Sequence, residues 1–147
     1  MPVIIWMLVI FAASTDLGSV EHTSRFLIPF LQWINPHISG AAVMAIQFLI
    51  RKAAHLTEYA VLAILLLRAV RSGTRDAFAC QAILVLVIAT LYAATDEFHQ
   101  TFAPSRTASA HDVMIDSLGA TVGLAIYWSI RRSPARAPAG SVARTAP

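Results

Sequence analysis

The stretch "AFACQAILVLVIATLYAAT", Ala77 to Thr95, contains nineteen residues and no charged side chain. A helix of about 20 apolar residues crosses the hydrocarbon core of a bilayer, so this stretch predicts a transmembrane helix. The sequence continues directly with "DEFHQTFAPSR", residues 96–106, which places two carboxylates, a histidine, a glutamine and an arginine within eleven residues. A membrane span that ends in so many polar groups needs protein or water around them.

The composition is that of a membrane protein. Of 147 residues, 57% are hydrophobic and only 13% are charged, a balance that soluble domains rarely show. The single cysteine, Cys80, excludes an intramolecular disulfide and a cysteine metal cluster. The basic residues are scattered at the ends of apolar runs and form no patch with aromatic residues, so we expect no nucleic-acid partner.

Three further apolar stretches complete a predicted all-α fold, an integral membrane bundle of four transmembrane helices. We place the four spans at about residues 2–14, 53–70, 77–96 and 112–130. The first is short and also resembles the apolar core of a signal peptide, but no Lys or Arg precedes it and no clear A-x-A cleavage site follows. We therefore expect a short first span, accommodated by local thinning of the bilayer.

Two other segments have their own character. The sequence "RFLIPFLQWI", Arg25 to Ile34, is aromatic and contains Pro29, which favours a short helix lying in the membrane interface. Residues 41–50 are expected to continue as helix into the second span. The last segment, 131–147, is rich in Pro, Ala and Arg and is predicted to be a disordered basic tail, which leaves residues 1–130 as the transmembrane domain.

The basic residues predict how the chain crosses the membrane. Seven arginines lie after spans two and four: Arg68, Arg71, Arg75, Arg131, Arg132, Arg136 and Arg144. Four basic residues lie on the other side: Arg25, Arg51, Lys52 and Arg106. The positive-inside rule places both termini in the cytoplasm. The polar beginnings of spans two and four and the polar end of span three then lie at one level on the outer side.

Helical spacing of 100° per residue gives each of these three spans one polar face. The faces hold Lys52, His55, Glu58 and Tyr59 on span two; Tyr92, Asp96, His99 and Gln100 on span three, with Glu97 at the edge; and Asp112 and Asp116 on span four, aligned with Gly119 and Gly123. The two glycines form a small-xxx-small pattern, which allows close helix packing. Ionisable groups at membrane depth usually face a bundle interior, so the faces predict one shared outward-facing pocket.

The pocket is predicted to consist of Lys52, His55, Glu58, Tyr59, Asp96, Glu97, His99, Gln100, Arg106, Asp112 and Asp116. With Arg51 included, three basic groups face five carboxylates, a deficit of two positive charges when the histidines are neutral. Protonated histidines, a protonated carboxylate or a bound cation would each offset it. This deficit argues against a simple anion receptor.

Several chemistries fit these residue types. Lys52 and Arg106 suit a phosphate or carboxylate, and the acid and base candidates are His55, Asp96, Glu97 and His99. A mixed set of histidines and carboxylates also suits a divalent metal. No tight ligand spacing such as H-E-x-x-H is present, so no metal site is predicted and the cofactor is left open. In the alternative interpretation, the polar groups only bind the helices to one another.

Two stretches carry a family resemblance. "KAAHLTEY", residues 52–59, and "TDEFHQTFAPSRTASAHDVMIDSLGATVG", residues 95–123, resemble the VanZ-like family of small bacterial membrane proteins. The family pattern runs roughly K-x-x-H-x-x-x-Y, D-E-x-x-Q-x-F-x-P-x-R and D-V-x-x-N-x-x-G-x-x-x-G. It falls here on Lys52, His55, Tyr59, Asp96, Glu97, Gln100, Arg106, Asp112, Gly119 and Gly123. Asp116 stands where the family commonly has asparagine, which adds an acid to an acidic pocket.

The resemblance implies a role at the bacterial cell envelope, because the family's founding activity is low-level resistance to the glycopeptide teicoplanin. One hypothesis is a site in the cytoplasmic membrane that binds or modifies an envelope molecule, such as a lipid-linked precursor or another amphiphile. A second is a non-catalytic protein that binds membrane lipids, a drug or a partner. Proton or ion movement is disfavoured, since spans one and three have few polar groups in their predicted cytoplasmic halves. The residues do not decide between an enzyme and a binding protein.

Overall fold

A computed structural model describes residues 1–15, 20–71, 78–102 and 109–132. This part of the chain forms five helices and no strand: α1 Pro2–Ala13, α2 Val20–Ile34, α3 Gly40–Val70, α4 Phe78–Gln100 and α5 Ala110–Arg132. By length and composition, α3, α4 and α5 are able to cross a membrane, and α1 is a shorter apolar helix. The predicted all-α membrane fold is thereby confirmed. Arg106 and residues 133–147 of the predicted tail lie outside the described residues.

The ends of the helices follow from local sequence. Ser39 is the N-cap of α3, and its Oγ accepts a hydrogen bond from the Ala42 amide at 3.2 Å. From there α3 continues unbroken to Val70, so residues 41–50 belong to the same helix as the predicted second span. At the other end of the chain, α5 continues through Arg131 and Arg132, two residues into the segment predicted to be disordered.

Contacts with aromatic side chains explain this extension of α5. The Arg131 guanidinium donates to the Tyr127 hydroxyl at 3.1 Å, and the Arg132 guanidinium lies 4.2 Å from the centre of the Trp128 ring. Both cations also lie in the last turn of the helix, where they interact favourably with its dipole. The helical part of the chain therefore ends beyond the apolar span itself.

The segment predicted as an interfacial helix is α2. It begins at Val20, earlier than the predicted Arg25, and it includes Pro29 in its interior. Gln47 Nε2 of α3 donates to Ser24 Oγ at 2.6 Å, which ties α2 to α3. Phe26 and Trp33 remain largely exposed, as expected for aromatic side chains that meet lipid at an interface.

Two helices, α3 and α5, run parallel with their backbones in direct contact. Lys52 pairs with Asp112, His55 with Asp116, and further along the Leu56 backbone lies against Gly119. A Cβ atom at Gly119 would lie 2.9 Å from Leu56 Cα, and one at Gly123 would lie 2.8 Å from Ala60 Cα. Only glycine fits at such an approach, so the small-xxx-small pattern sets the separation of the two helices.

The remaining apolar helices run in the opposite direction. The Ser109 amide, just before α5, contacts Glu97 near the end of α4, whereas Phe78 at the start of α4 stacks on Trp128 near the end of α5. In α1, the Met7 carbonyl accepts from the Tyr92 hydroxyl at 2.6 Å, and Ser14 further along contacts Asp96. The helix α1 therefore runs in the same direction as α4. Four helix regions thus lie together: the start of α5, the start of the membrane span within α3, and the ends of α1 and α4. We call this region the polar end. The opposite end is the arginine end.

Small residues allow the helices to pack closely below the polar end. Ala63, Ala89, Ala93 and Ala120 are fully buried. Large apolar side chains such as Leu91 on α4 point outward and are exposed. Such an exposed apolar surface would be unusual in water, but it is what a bundle surrounded by lipid requires.

We expect Gly123→Ala to destabilise the fold by about 1–3 kcal/mol, because its methyl group would collide with the α3 backbone, which cannot move aside like a side chain. Denaturant unfolding in detergent micelles, followed by circular dichroism, measures this change. Gly40→Ala is the matched control. No atom lies within 4 Å of its added Cβ, and alanine is the better helix former. Equal losses in the two variants would contradict the packing explanation.

Candidate functional site

The first interaction at the polar end joins the cations of α3 to an acid of α5. Lys52 Nζ is hydrogen bonded to Asp112 Oδ1, and Arg51 Nη2 lies 3.6 Å from Asp112 Oδ2. The Asp112 side chain is almost fully buried, whereas about a fifth to a quarter of the two cationic side chains is exposed, 21% for Lys52 and 25% for Arg51. Asp112 also lies in the first turn of α5, where the helix dipole favours a negative charge.

A second pair lies one helical turn deeper. His55 Nδ1 is 3.1 Å from Asp116 Oδ1, within hydrogen-bond distance, and both residues are buried. The other carboxylate oxygen of Asp116, Oδ2, has no hydrogen-bond partner among the described residues. One turn further along α3, the buried Tyr59 hydroxyl likewise has none in the described part of the chain. The α3 and α5 polar faces therefore meet, but they do not fully satisfy each other.

Glu97 brings α4 to this pair. Its Oε2 accepts a hydrogen bond from the Ser109 amide at 2.8 Å, while its Oε1 is buried without a partner among the described residues. One ligand-type atom from each of His55, Glu97 and Asp116 lies within 4.8 Å of the others. Three helices thus contribute one buried side chain each to a single cluster.

The position of Glu97 differs from the helical projection, which placed it at the edge of the α4 polar face. In the structure Glu97 is 5% exposed and faces α3 and α5. The reason is the rotation of α4, which packs Ala89 and Ala93 against the core. Residues four apart share a helix face, so Glu97 continues the stripe of Ala89 and Ala93. This spacing of small residues is the signal that would have located Glu97 from sequence.

The other two ionisable residues at the end of α4, Asp96 and His99, contact α1. Asp96 accepts a hydrogen bond from Ser14 Oγ at 2.5 Å and one from Gln100 Nε2 at 3.2 Å. The His99 ring lies against Phe11, with the ring centroids 4.2 Å apart. Sequence reasoning did not include Ser14 in the site. Its signal is its place at the end of the first apolar stretch, where α1 reaches the polar end.

Two predicted residues remain to be located. Glu58 is half-buried on α3, and its backbone carbonyl accepts from Trp6 Nε1 of α1 at 2.9 Å. Arg106 lies outside the described residues. Among the described ionisable groups, Arg51 and Lys52 therefore face Glu58, Asp96, Glu97, Asp112 and Asp116, a deficit of three positive charges with neutral histidines. The excess of carboxylates inferred from the sequence is present in this part of the chain.

Buried polar atoms without partners are concentrated at the polar end. Within the described ranges these are Arg51 Nε, Tyr59 OH, Glu97 Oε1, His99 Nδ1, Gln100 Oε1 and Asp116 Oδ2. Native proteins leave few buried polar atoms unpaired, because each costs free energy. A cluster that only held the helices together would pair its groups with one another. The arrangement is better suited to taking up a further polar or charged group.

We expect Lys52→Met to destabilise the protein by about 2–3 kcal/mol, because it leaves the buried Asp112 without its closest cation. Adding Asp112→Leu should recover most of this loss, since an apolar pair needs no compensating charge. Denaturant unfolding of the two single variants and the double variant measures the coupling. Lys52→Arg, which keeps the charge, is the control. A double variant that loses the sum of both single effects would show that the pair does not join α3 to α5.

One family model matches most of the chain. The family model described as VanZ/LLP1 matches residues 1–131, which include α1 to α4 and nearly all of α5. No curated protein and no solved structure matches the chain. Because the family model covers most of the sequence, the chain belongs to the VanZ/LLP1 family.

Proposed function

We propose that the polar end of this membrane protein binds the phosphate-bearing headgroup of a cell-envelope amphiphile, such as a lipid-linked precursor. The observation that carries the proposal is the set of buried polar atoms that have no partner among the described residues, all of them at one end of an apolar bundle. They lie at the same end of the bundle as the Lys52–Asp112 and His55–Asp116 pairs. Among these atoms, Arg51 Nε and the Tyr59 hydroxyl can donate to phosphate oxygens. The oxygens of Glu97 and Asp116 only accept when ionised, so they need a cation or a donor group beside the phosphate.

The change in exposure across the polar end supports entry from one side. Arg51 and Lys52 are partly exposed, whereas Glu97 and Asp116 below them are buried. A phosphate arriving from the membrane surface would meet these two cations first, and Arg106 is a third candidate by sequence. The acidic interior requires additional positive charge, which a bound cation would supply.

The surroundings of the polar end suit the apolar part of an amphiphile. Four large apolar side chains near this end are each more than half exposed. They are Phe48 on α3, Phe98 near the end of α4, Phe102 just after α4, and Met114 on α5. Acyl or isoprenoid chains would lie along such side chains in the bilayer, with the headgroup at Lys52. An apolar surface next to a few convergent polar groups is typical of small-molecule sites.

The membrane orientation belongs to the same proposal. From the arginines at the arginine end and the positive-inside rule, we infer that this end and both termini lie in the cytoplasm. The polar end then faces outward across the bacterial cytoplasmic membrane. There it would meet cell-wall precursors, and binding them would change the access of glycopeptides such as teicoplanin.

The alternative function is a purely structural one, and the two interhelical pairs favour it to some extent. Lys52–Asp112 and His55–Asp116 both join α3 to α5. A structural role accounts for these pairs, but it assigns no purpose to the unpaired oxygens of Glu97 and Asp116. If the site is catalytic, its acid–base pair is centred on His55 and Glu97, because Asp96 and His99 face α1.

Binding is tested with a polyprenyl phosphate and the corresponding polyprenol, added to detergent-purified protein and followed by native mass spectrometry. We expect the wild type to bind the phosphate at least about tenfold more tightly than the alcohol. This ratio corresponds to about 1.4 kcal/mol of binding free energy, which charge-assisted hydrogen bonds to the phosphate would supply. The Lys52→Met/Asp112→Leu double variant, expected to remain folded, should lose this preference. Arg132→Ala, at the arginine end, should keep it.

Three results would argue against the binding proposal. The first is equal affinity of the wild type for both compounds, and the second is an unchanged preference in the double variant. The third is an equal loss in Arg132→Ala.

In cells, expression of the wild type should raise the teicoplanin concentration needed to inhibit growth, and expression of the double variant should not. Circular dichroism of each purified variant separates lost binding from lost folding.

A further inference from the structure

We propose that the polar end holds one divalent transition-metal ion, bound by a ring nitrogen of His55 and by carboxylate oxygens of Glu97 and Asp116. This inference deepens the proposed function and rests on it for the ligand, since the headgroup phosphate would occupy the metal's remaining coordination position. The three ligand residues come from α3, α4 and α5, and one possible ligand atom of each lies within 4.8 Å of the other two. His55 and Glu97 are more than 40 residues apart in the sequence, and Glu97 and Asp116 lie on different helices. No short sequence motif therefore contains the three residues.

Unpaired oxygens point to a cation at this place independently of the clustering. Glu97 Oε1 and Asp116 Oδ2 have no hydrogen-bond partner among the described residues. Glu97 is 5% exposed and Asp116 is fully buried. A buried carboxylate oxygen needs a donor or a cation to offset its lost hydration. Two such oxygens beside one histidine match the ligands of a metal ion more closely than those of a neutral molecule.

The distances are close to those of a tetrahedral site. Zinc bonds to nitrogen and oxygen measure about 2.0–2.2 Å, which places neighbouring ligand atoms about 3.3–3.5 Å apart. His55 Nδ1 and Asp116 Oδ1 are 3.1 Å apart as a hydrogen-bonded pair, so metal binding through Nδ1 would displace the shared proton to solvent. The Glu97 carboxylate has to approach by at most about 1.5 Å, which a rotation of its side chain allows.

Hydrogen bonding and packing hold the ligands in place. The Ser109 amide donates to Glu97 Oε2, which leaves Oε1 as the free oxygen of that carboxylate. The contact of Gly119 with the Leu56 backbone sets the distance between α3 and α5 next to His55. Groups that orient the ligands in this way strengthen metal binding.

Charge and ligand type select the kind of metal. With neutral histidines, the ionisable groups assigned to the polar end leave two negative charges uncompensated when Arg106 is counted, and a divalent ion offsets both. One imidazole with two carboxylates suits Zn²⁺ or Mn²⁺ better than Mg²⁺ or Ca²⁺, which prefer oxygen ligands alone. Three protein ligands leave a position open, as in catalytic zinc sites.

The departure from the family pattern has a consequence here. Asp116 stands where the VanZ-like pattern commonly has asparagine. An amide oxygen can still contact a metal but carries no charge, so the carboxylate binds a divalent ion more strongly. Asp116→Asn should therefore weaken metal binding in this chain while preserving the shape of the side chain.

The test is Zn²⁺ binding to the full-length chain, purified in mild detergent without a polyhistidine tag and stripped of metal. We expect about one Zn²⁺ per chain by elemental analysis after loading and desalting. Competition with a chromophoric chelator should show affinity reduced about 100-fold or more in Glu97→Gln and His55→Gln, and about tenfold in Asp116→Asn. The matched controls are His37→Gln, which alters an exposed histidine between α2 and α3, and Arg132→Ala at the arginine end. Both should bind Zn²⁺ like the wild type.

A second measurement reports the coordination of the bound ion directly. Co²⁺ in the site should give visible absorption bands of a four- or five-coordinate ion, and these bands should change when the polyprenyl phosphate is added. Fewer than about one Zn²⁺ per ten chains after loading, or equal losses in His55→Gln and His37→Gln, would overturn the metal site. Polyprenyl phosphate binding that is unchanged by a chelator would overturn the metal site's part in it and leave the binding proposal intact. Zn²⁺ binding without any preference for the phosphate would reject the binding proposal alone.

Discussion

The contact of the α3 and α5 backbones at Gly119 and Gly123 is the constraint on which the rest of the structure depends. It has no side chain between the two helices, so it sets both their separation and their register. With that register, Lys52 meets Asp112 and His55 meets Asp116. Because Asp112, His55 and Asp116 are buried, water competes little for these pairs, and a change in register would separate both of them at once.

The helices α1 and α4 pack around the polar end of α3 and α5. The stripe of Ala89 and Ala93 lets α4 approach the core, and the same rotation turns Glu97 toward His55. On the opposite side, Ser14 and Phe11 of α1 contact Asp96 and His99. The polar residues of α4 are therefore divided between a cluster with α3 and α5 and a contact with α1. This division separates groups suited to chemistry from groups that attach the first helix.

Helical periodicity was sufficient to predict much of the architecture. Long apolar stretches predicted the spans, and three of the observed helices are long and apolar enough to cross a membrane. Periodicity also aligned Asp112, Asp116, Gly119 and Gly123 on one face, since residues three and four apart share a face on any helix. It did not find the Ser14–Asp96 contact or the inward position of Glu97. Both depend on the neighbouring helix, about which the spacing of one helix contains no information.

The sequence by itself determined an all-helical membrane protein with three polar faces at one level and an excess of carboxylates among them. These properties depend on composition and on spacing along single helices. Only the tertiary structure decided which side chains meet: His55 with Asp116 and Glu97, and Asp96 with Ser14. The physical reason is that these contacts depend on the rotation and separation of whole helices, which the glycine and alanine contacts in the core determine.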